Sequence, residues 1–182
     1  MIKLTKRQLK ILFYIFIGII TLIVGFQINK AVQRGAILAV CNEFVNTPTN
    51  YKKLPDEYIN GTVPVPESVI EDLKNNIKTG YKNIFTDSAY EFYIVRDLDF
   101  IDYQASKKGM IIKSNCRITD YSEYKIRGNK AYILIEVLQE GSDYSKRDNV
   151  LRIIPYSAKV YYKVELYKIN GKWLINRTDF YV

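Results

Sequence analysis

The chain has 182 residues, of which 48% are hydrophobic, and its 27 lysines and arginines against 19 aspartates and glutamates give a net charge of +8. It has no histidine and two cysteines, so it lacks the commonest general base and has too few thiols for a zinc or iron–sulfur site. This composition argues against an enzyme, a metal site and a cofactor, although chemistry based on carboxylate or tyrosine groups stays open.

The positive charge is concentrated at the start of the chain. Residues 1–41 hold six of the basic residues and none of the acidic ones, so the rest of the chain has a net charge of only +2. A near-neutral remainder is typical of ordinary folded domains and not of nucleic-acid-binding ones. We therefore expect no nucleic-acid partner.

Residues 11–28 (ILFYIFIGIITLIVGFQI) form a run without a charge. At 1.5 Å per residue, a helix of this length spans about 27 Å, close to the roughly 30 Å of a bilayer's hydrocarbon core. The run is longer than a signal-peptide core, and no small-x-small cleavage site follows it. The sequence predicts a retained single-pass transmembrane helix over residues 11–30, which anchors the protein in a membrane.

The charges that flank this run predict its orientation. Lys3, Lys6, Arg7 and Lys10 precede it, with no acidic residue among them. Because positive residues stay on the cytoplasmic side, residues 1–10 are expected to form a cytoplasmic tail. Residues 31–182 are then expected to form one extracytoplasmic domain.

The stretch ILAVC, residues 37–41, raises the alternative of a lipidated cysteine. Val40 stands where the lipoprotein-processing enzyme requires a small residue, and Lys30 lies between the cysteine and the apolar run. The helical spacing of the neighbouring apolar residues favours a buried Cys41 thiol instead. Whether Cys41 and Cys116 form a disulfide stays open at this point.

Two helices are predicted before the sheet begins. The first continues from Ala31 to about Val45, and a connection rich in proline and glycine follows over residues 47–66. Ser68 and Glu71 have the spacing of a capping box at the start of the second helix. The buried stripe of that helix is predicted from spacings of three and four residues: Ile70, Leu73, Ile77, Tyr81 and Ile84.

Residues 87–106 are harder to assign. YEFYIV, residues 90–95, predicts a strand, and the residues that follow are compatible with a strand or a helix. Asp97, Asp99 and Asp102 alternate with apolar residues and lack the glycine and closing glutamate of a calcium loop. We expect a solvated edge or turn here and no metal.

From residue 110 onward the apolar residues recur with period two. Turn residues at 128–129 and 170–171 and a polar tip at 140–149 divide this part into four antiparallel strands, about 110–126, 130–139, 150–168 and 172–182. Ile135 is predicted on the buried face of the second strand, Pro155 at a bulge in the third, and Trp173 at an exposed rim.

The last hairpin predicts a polar pocket. With a two-residue turn and no irregularity, Arg177 and Asp179 fall on the same face as Tyr162, so these three side chains would point into the hollow of the sheet. A bulge after Ile175 is the alternative, and it would turn Phe180 inward and place the two charges in water.

The polar tip is a second candidate site. Loops on a rigid sheet are where binding residues concentrate, and tyrosine often anchors interfaces. Tyr144, Lys146 and Arg147 are therefore predicted to form an interface loop, with a plain solvated hairpin tip as the alternative.

The order of helices and strands, with the ending YYKVELYKINGKWLINRTDFYV, resembles the nuclear-transport-factor-2-like family over about residues 31–182. The resemblance implies an α+β domain in which helices pack in the hollow of a curved four-stranded antiparallel meander and make a cone. A short inner tail, one crossing and such a cone outside also resemble the TcpC-type conjugation proteins of Gram-positive bacteria and the bitopic assembly subunit of type IV secretion.

That second resemblance implies a function through protein contacts inside a membrane machine. The expected protein is a single-pass component of a bacterial cell membrane that binds other envelope proteins or further copies of itself and is not an enzyme. The alternatives are an extracytoplasmic module that binds a ligand or a toxin, as an immunity protein does, and a small enzyme with an open polar hollow.

Overall fold

The computed structural model describes residues 6–59, 63–106, 111–147 and 150–181, without the side chains of residues 111–112, 144–147 and 150–151. The protein is α+β, with a long N-terminal apolar helix and an open four-stranded antiparallel sheet. The chain divides into two compact units, residues 1–38 and residues 39–182. The predicted boundary between anchor and outer domain was at residues 30–31.

Helix α1 spans Lys6–Val45, so the predicted anchor and the predicted helix that follows it are one continuous helix. Its apolar stretch is long enough and apolar enough to cross a membrane, and none of that stretch is buried within the protein. An apolar stretch of this length that is not buried among the described residues is what a bilayer would cover.

A π-helical turn, Pro48–Lys52, and a short helix α2, Asp56–Ile59, follow α1. Helix α3 spans Glu67–Ile84, and the carbonyl of Pro66 accepts its first hydrogen bonds, from the backbone N–H groups of Val69 and Ile70. The predicted capping box is therefore wrong, because Ser68 and Glu71 already lie inside the helix.

The stripe predicted for α3 is confirmed at Ile77, Tyr81 and Ile84, which are buried. Ile70 and Leu73, nearer the start of the helix, are half-buried. The helix therefore contributes its second half to the core, as its apolar periodicity predicts.

Helix α4 spans Asp87–Ser106, so the predicted strand at residues 90–95 is wrong. Thr86 starts the helix, since its carbonyl accepts a hydrogen bond from Tyr90 N at 2.7 Å and its Oγ1 accepts one from Ala89 N at 3.4 Å. The expected solvated edge is also wrong for Asp97, which is 4% exposed. The buried positions have helical spacing but include two polar residues: Ala89, Tyr93, Ile94, Asp97, Ile101 and Gln104.

The sheet has the predicted order, β1 Ile111–Arg127, β2 Lys130–Arg147, β3 Val150–Ile169 and β4 Lys172–Tyr181. The loop predicted at residues 140–149 is wrong, because β2 and β3 stay paired up to Arg147 and Val150. No register shift interrupts that ladder.

The bulge predicted at Pro155 is also wrong, since Pro155 pairs in register with Ser142 of β2. Tyr161 is the first residue of β3 that pairs with β4, opposite Tyr181. Within the described residues, Pro155 therefore lies in a part of β3 that has β2 as its one neighbour, and edge positions of a sheet are where proline is tolerated.

One face of the sheet carries buried residues, and α3 and α4 contact its last strand, β4. Ile135 is fully buried as predicted, and its strand alternates buried with half-buried residues from Ala131 to Val137. The rim position predicted for Trp173 is wrong: it is 4% exposed, because it shares the inner face with Ile175 two residues later.

Both cysteines are free and buried. Cys41 lies inside α1 and Cys116 on β1, so the disulfide that the sequence left open is not formed in this structure. A buried unpaired thiol packs as a small apolar group.

A candidate binding groove along helix α4

A buried carboxylate organises the surface beside α4. Asp97 accepts a hydrogen bond from the Tyr81 hydroxyl at 2.5 Å. The same carboxylate lies 3.1 Å from the Lys52 ammonium, and Arg96 Nε is 3.0 Å from its other oxygen. Because every oxygen has a charged or hydrogen-bonding partner, this charge is buried without the cost of an isolated ion.

The partners of Asp97 determine its protonation. Burial alone would raise the pKa of the Asp97 carboxyl, but the Lys52 charge and the hydrogen bonds from Arg96 and Tyr81 outweigh burial and hold the pKa below the ordinary 3.8. Burial and the nearby carboxylate raise the pKa of the Tyr81 phenol. Asp97 is therefore ionised and Tyr81 is a hydrogen-bond donor at neutral pH.

A cavity of about 320 Å³ opens next to this cluster. Within the described residues its lining contains two cations, Lys52 and Arg96, and no acidic side chain. The lining combines aromatic, apolar and neutral polar groups: Phe44, Val45, Thr47, Pro48, Lys52, Phe92, Tyr93, Arg96, Gln139, Tyr162, Thr178 and Phe180. The arrangement fits a ligand group that is negative at one point and apolar elsewhere.

Contacts between α4 and the sheet hold the wall of this first cavity in place. The hydroxyls of Tyr93 on α4 and Thr178 on β4 are hydrogen-bonded to each other. Gln139 Nε2 donates to the Tyr162 hydroxyl at 3.0 Å, and the Arg96 guanidinium lies 5.2 Å from the centre of the Tyr93 ring. The polar groups of the wall therefore have fixed orientations.

Two aromatic side chains at the edge of the first cavity face solvent. Phe92 is 71% exposed and Phe180 is 64% exposed, although both line the cavity. Large exposed aromatic residues around a concave site are typical of a binding surface.

A second cavity of about 410 Å³ lies farther along α4. It is lined by Lys52, Arg96, Asp97, Asp99, Phe100 and Tyr103. Lys52 and Arg96 line both cavities and so join them, and we call the two cavities together the α4 groove. The groove has aromatic residues at both ends and two cations in the middle.

The structure does not bring the predicted pocket residues together in one cavity. Tyr162 lines the first cavity, whereas Arg177 and Asp179 line a neighbouring one of about 410 Å³. Arg177 pairs across the strands with Glu165, and Asp179 with Lys163. The two charges form an ion pair at 3.0 Å near the surface.

The reason is a bulge after Ile175, the alternative left open by the sequence. Leu166 pairs with Ile175, but the next pair is Glu165 with Arg177, so Asn176 is the extra residue. The Asn176 side chain donates to Glu165 at 3.3 Å and accepts from Thr86 Oγ1 at 3.2 Å, which holds the bulge in place.

The backbone of the predicted interface loop is strand. Tyr144 pairs with Ile153, and Lys146 and Arg147 pair with Leu151 and Val150. The side chains of all three predicted interface residues lie outside the described part of the structure. Their role in an interface stays a prediction.

Apart from Tyr162, the residues of the α4 groove were not predicted from the sequence to belong to a site. Arg96 and Asp97 fell in the stretch that was ambiguous between strand and helix, and Lys52 fell in a connection predicted to be irregular. The available signal was the helical spacing of Tyr93, Asp97, Ile101 and Gln104, once polar residues are allowed at buried positions. Among the described residues, no group of three or more cysteine or acidic side chains could hold a metal ion.

No protein-family model matches the sequence, and no curated protein matches it either. The role of the α4 groove therefore rests on its own geometry and charge.

Proposed function

We propose that this protein is a membrane-anchored, extracytoplasmic subunit that acts through protein–protein contacts within a bacterial envelope complex. The observation that carries the proposal is the α4 groove, at which the aromatic side chains of Phe92 and Phe180 are exposed. The domain with this groove follows, in the same chain, an apolar helix that is long enough to cross a membrane. A partner that covers Phe92 and Phe180 removes apolar surface from water, which is the main favourable term in association.

The membrane part of the proposal uses α1 and the charges before it. The tail of residues 1–10 carries four basic and no acidic residues, which favours a cytoplasmic N-terminus. The α+β domain is then outside the cytoplasm, where the groove is available to other envelope proteins.

Binding fits the groove better than catalysis. Asp97 is 4% exposed and already shared by Lys52, Arg96 and Tyr81, so its carboxylate is committed to holding these groups in place. A general base needs a carboxylate within reach of a substrate proton. The cluster supports a fixed, charged binding wall.

The proposed assembly role is supported by the order of helices and strands in the chain. An apolar helix followed by further helices and then by a four-stranded meander is similar to the order expected of TcpC-type conjugation proteins and type IV secretion assembly subunits with a nuclear-transport-factor-2-like cone. A shared architecture supports a shared way of working without fixing the partner. We propose a scaffold role in a conjugation- or secretion-type complex on this basis.

A module that binds a soluble ligand or a toxin is the second candidate. The first cavity has a volume of about 320 Å³, which falls within the usual range of small-molecule sites. Such a module would bind its target as a free protein and would not need a larger membrane complex.

Protease treatment and native electrophoresis test the proposed function. Protease added to intact protoplasts should remove the domain and leave an N-terminal fragment that keeps a cytoplasmic epitope tag, while the untreated protein extracted in mild detergent should migrate above its monomer mass. Protoplasts opened with detergent provide the control, because the tag is then digested too. Protection of the domain in intact protoplasts would overturn the orientation, and migration of all the protein as monomer would overturn the assembly role.

A further inference from the structure

The α4 groove has a repeated chemical pattern along its length. Phe92 and Tyr93 lie at one end, Arg96 in the middle, and Phe100 and Tyr103 at the other end. Eleven residues separate the first and last of these positions, which corresponds to about 16 Å of helix. The groove therefore offers an apolar site, a cationic site and a second apolar site in a line.

The middle of the groove has unused capacity for an anion. Arg96 gives Asp97 two contacts, from Nε at 3.0 Å and from Nη2 at 3.5 Å. A guanidinium has five N–H donors, so three have no hydrogen-bond partner among the described residues, and the Arg96 side chain is 62% exposed. Among the described residues that line the first cavity, the charged ones are Lys52 and Arg96, which gives this cavity its positive charge. Asp97 and the exposed Asp99 line the second cavity with the same two cations.

We propose that the α4 groove binds an extended peptide segment of a partner protein, in which an acidic residue has an aromatic or large aliphatic residue two positions before it and another two positions after it. In an extended chain, residues two apart point the same way and the first and fifth lie about 13 Å apart. That distance lies between the separation of Tyr93 from Phe100, seven residues or about 10.5 Å of helix, and the roughly 16 Å from Phe92 to Tyr103. The acidic side chain meets Arg96, and the apolar side chains enter the two cavities.

A peptide fits the groove better than a small carboxylate does. Two cavities share the same pair of cations, and the exposed Phe92 and Phe180 line the first of them. An extended peptide carries separate apolar side chains for the two cavities, which a small carboxylate does not. The inference rests on the proposed function, since it names the kind of protein segment that the domain recognises.

Synthetic peptides test the pattern directly. The probe is the capped, fluorescein-labelled peptide Phe-Gly-Asp-Gly-Phe, and its controls carry asparagine in place of the aspartate or alanine in place of both phenylalanines. Binding to the full-length protein in nanodiscs of phosphatidylcholine is measured by fluorescence anisotropy. The aspartate peptide should bind about tenfold more tightly than the asparagine peptide, as expected for one charge-assisted hydrogen-bonded contact, and the alanine peptide more weakly than either.

Variants of the protein show whether the peptide occupies the groove. Arg96→Gln should abolish the difference between the aspartate and asparagine peptides, whereas Phe180→Ala should weaken both to a similar extent. Arg117→Gln is the matched control, because Arg117 is exposed on β1 beside the inward-facing Cys116 and belongs to neither cavity. It should bind as the unaltered protein does.

The circular-dichroism spectrum decides whether Arg96→Gln is folded. If the variant is not folded, a salt titration of the unaltered protein takes the place of this measurement. Added salt should weaken binding of the aspartate peptide and leave binding of the asparagine peptide nearly unchanged. Absence of binding, equal binding of the two peptides, or the same loss with Arg117→Gln would each overturn the inference. Migration of all the unaltered protein as monomer on native electrophoresis is a separate result. It would overturn the assembly role in the proposed function and not the peptide preference.

Discussion

Replacing Asp97 by alanine should lower the free energy of unfolding by about 3–5 kcal/mol, the usual effect of removing one partner from a buried charge cluster. The variant leaves the Lys52 ammonium, whose side chain is 12% exposed, without its counter-charge. It also leaves the Tyr81 hydroxyl without the acceptor it has at 2.5 Å. Urea denaturation of the full-length protein in detergent micelles measures the effect, with the emission of Trp173, the single and buried tryptophan, as the signal.

Two comparisons separate this effect from a general loss of helix stability. Asp99→Ala, at an exposed position of the same helix, should change the free energy of unfolding by no more than about 0.5 kcal/mol. Asp97→Asn keeps the shape and an acceptor oxygen but removes the charge, so it should fall between the two. Equal midpoints for Asp97→Ala and Asp99→Ala would show that the cluster does not stabilise the fold.

The contribution of Asp97 to the free energy of unfolding should depend on pH, and Asp97→Asn measures that dependence. Because the folded protein holds the pKa of Asp97 below 3.8, the stabilisation is present above the unfolded value and is lost as the pH falls through the lower, folded value. The stability difference between the unaltered protein and Asp97→Asn should therefore be constant near neutral pH and shrink below about pH 4.

Replacing Ile135 by alanine should cost about 2–5 kcal/mol of unfolding free energy, the range seen when a buried isoleucine is truncated. Ile135 is fully buried on the inner face of β2, next to Ile133 and Val137, which are also buried. The truncation leaves a cavity at a fully buried position that the surrounding backbone is too constrained to fill. The urea midpoint, measured as for Asp97→Ala, should fall without a change in slope.

Ile169→Ala is the matched control for this prediction. It makes the same chemical change at a residue that is 42% exposed near the last hairpin turn. Its cost should stay well below that of Ile135→Ala. Similar midpoints for the two variants would contradict the assignment of the buried face.

The sheet was predictable because its signal is local. The alternation of buried and half-buried residues around Ile135 follows directly from apolar residues at every second position. The turns at residues 128–129 and 170–171 have positive φ at Gly128, Asn170 and Gly171, residue types that tolerate it. Strand order and pairing follow from such hairpins without knowledge of distant contacts.

Helix α4 was missed because its buried face carries polar groups. Asp97 and Gln104 occupy core positions, where each is satisfied by a distant partner. Gln104 Nε2 donates to the carbonyl of Lys52 at 2.7 Å, and Asp97 binds the Lys52 ammonium. A prediction based on apolar residues at buried positions assigns Asp97 and Gln104 to the solvent-exposed face.

The predicted pocket depended on the register between β3 and β4, and long-range contacts determine this register. The bulge at Asn176 uses a side-chain bond to Thr86, at the junction of α3 and α4. The backbone N–H of Thr86 also donates to the carbonyl of Ile175 at 2.9 Å. Neither contact is visible in the hairpin sequence, so the sequence left both registers open and only the tertiary structure selects one.

Photocrosslinking in the native membrane tests most directly whether the α4 groove is the surface that binds a partner. The crosslinking residue p-benzoylphenylalanine replaces Phe92, which is 71% exposed at the groove, or Tyr161, which is 38% exposed on the other face of the sheet. Each replacement exchanges one aromatic side chain for another. We expect irradiation to join the Phe92-substituted protein to a second protein, with a lower yield when Arg96→Gln is added, and to give little product from Tyr161. Equal products from both positions, or products from Tyr161 alone, would contradict a binding role for the groove.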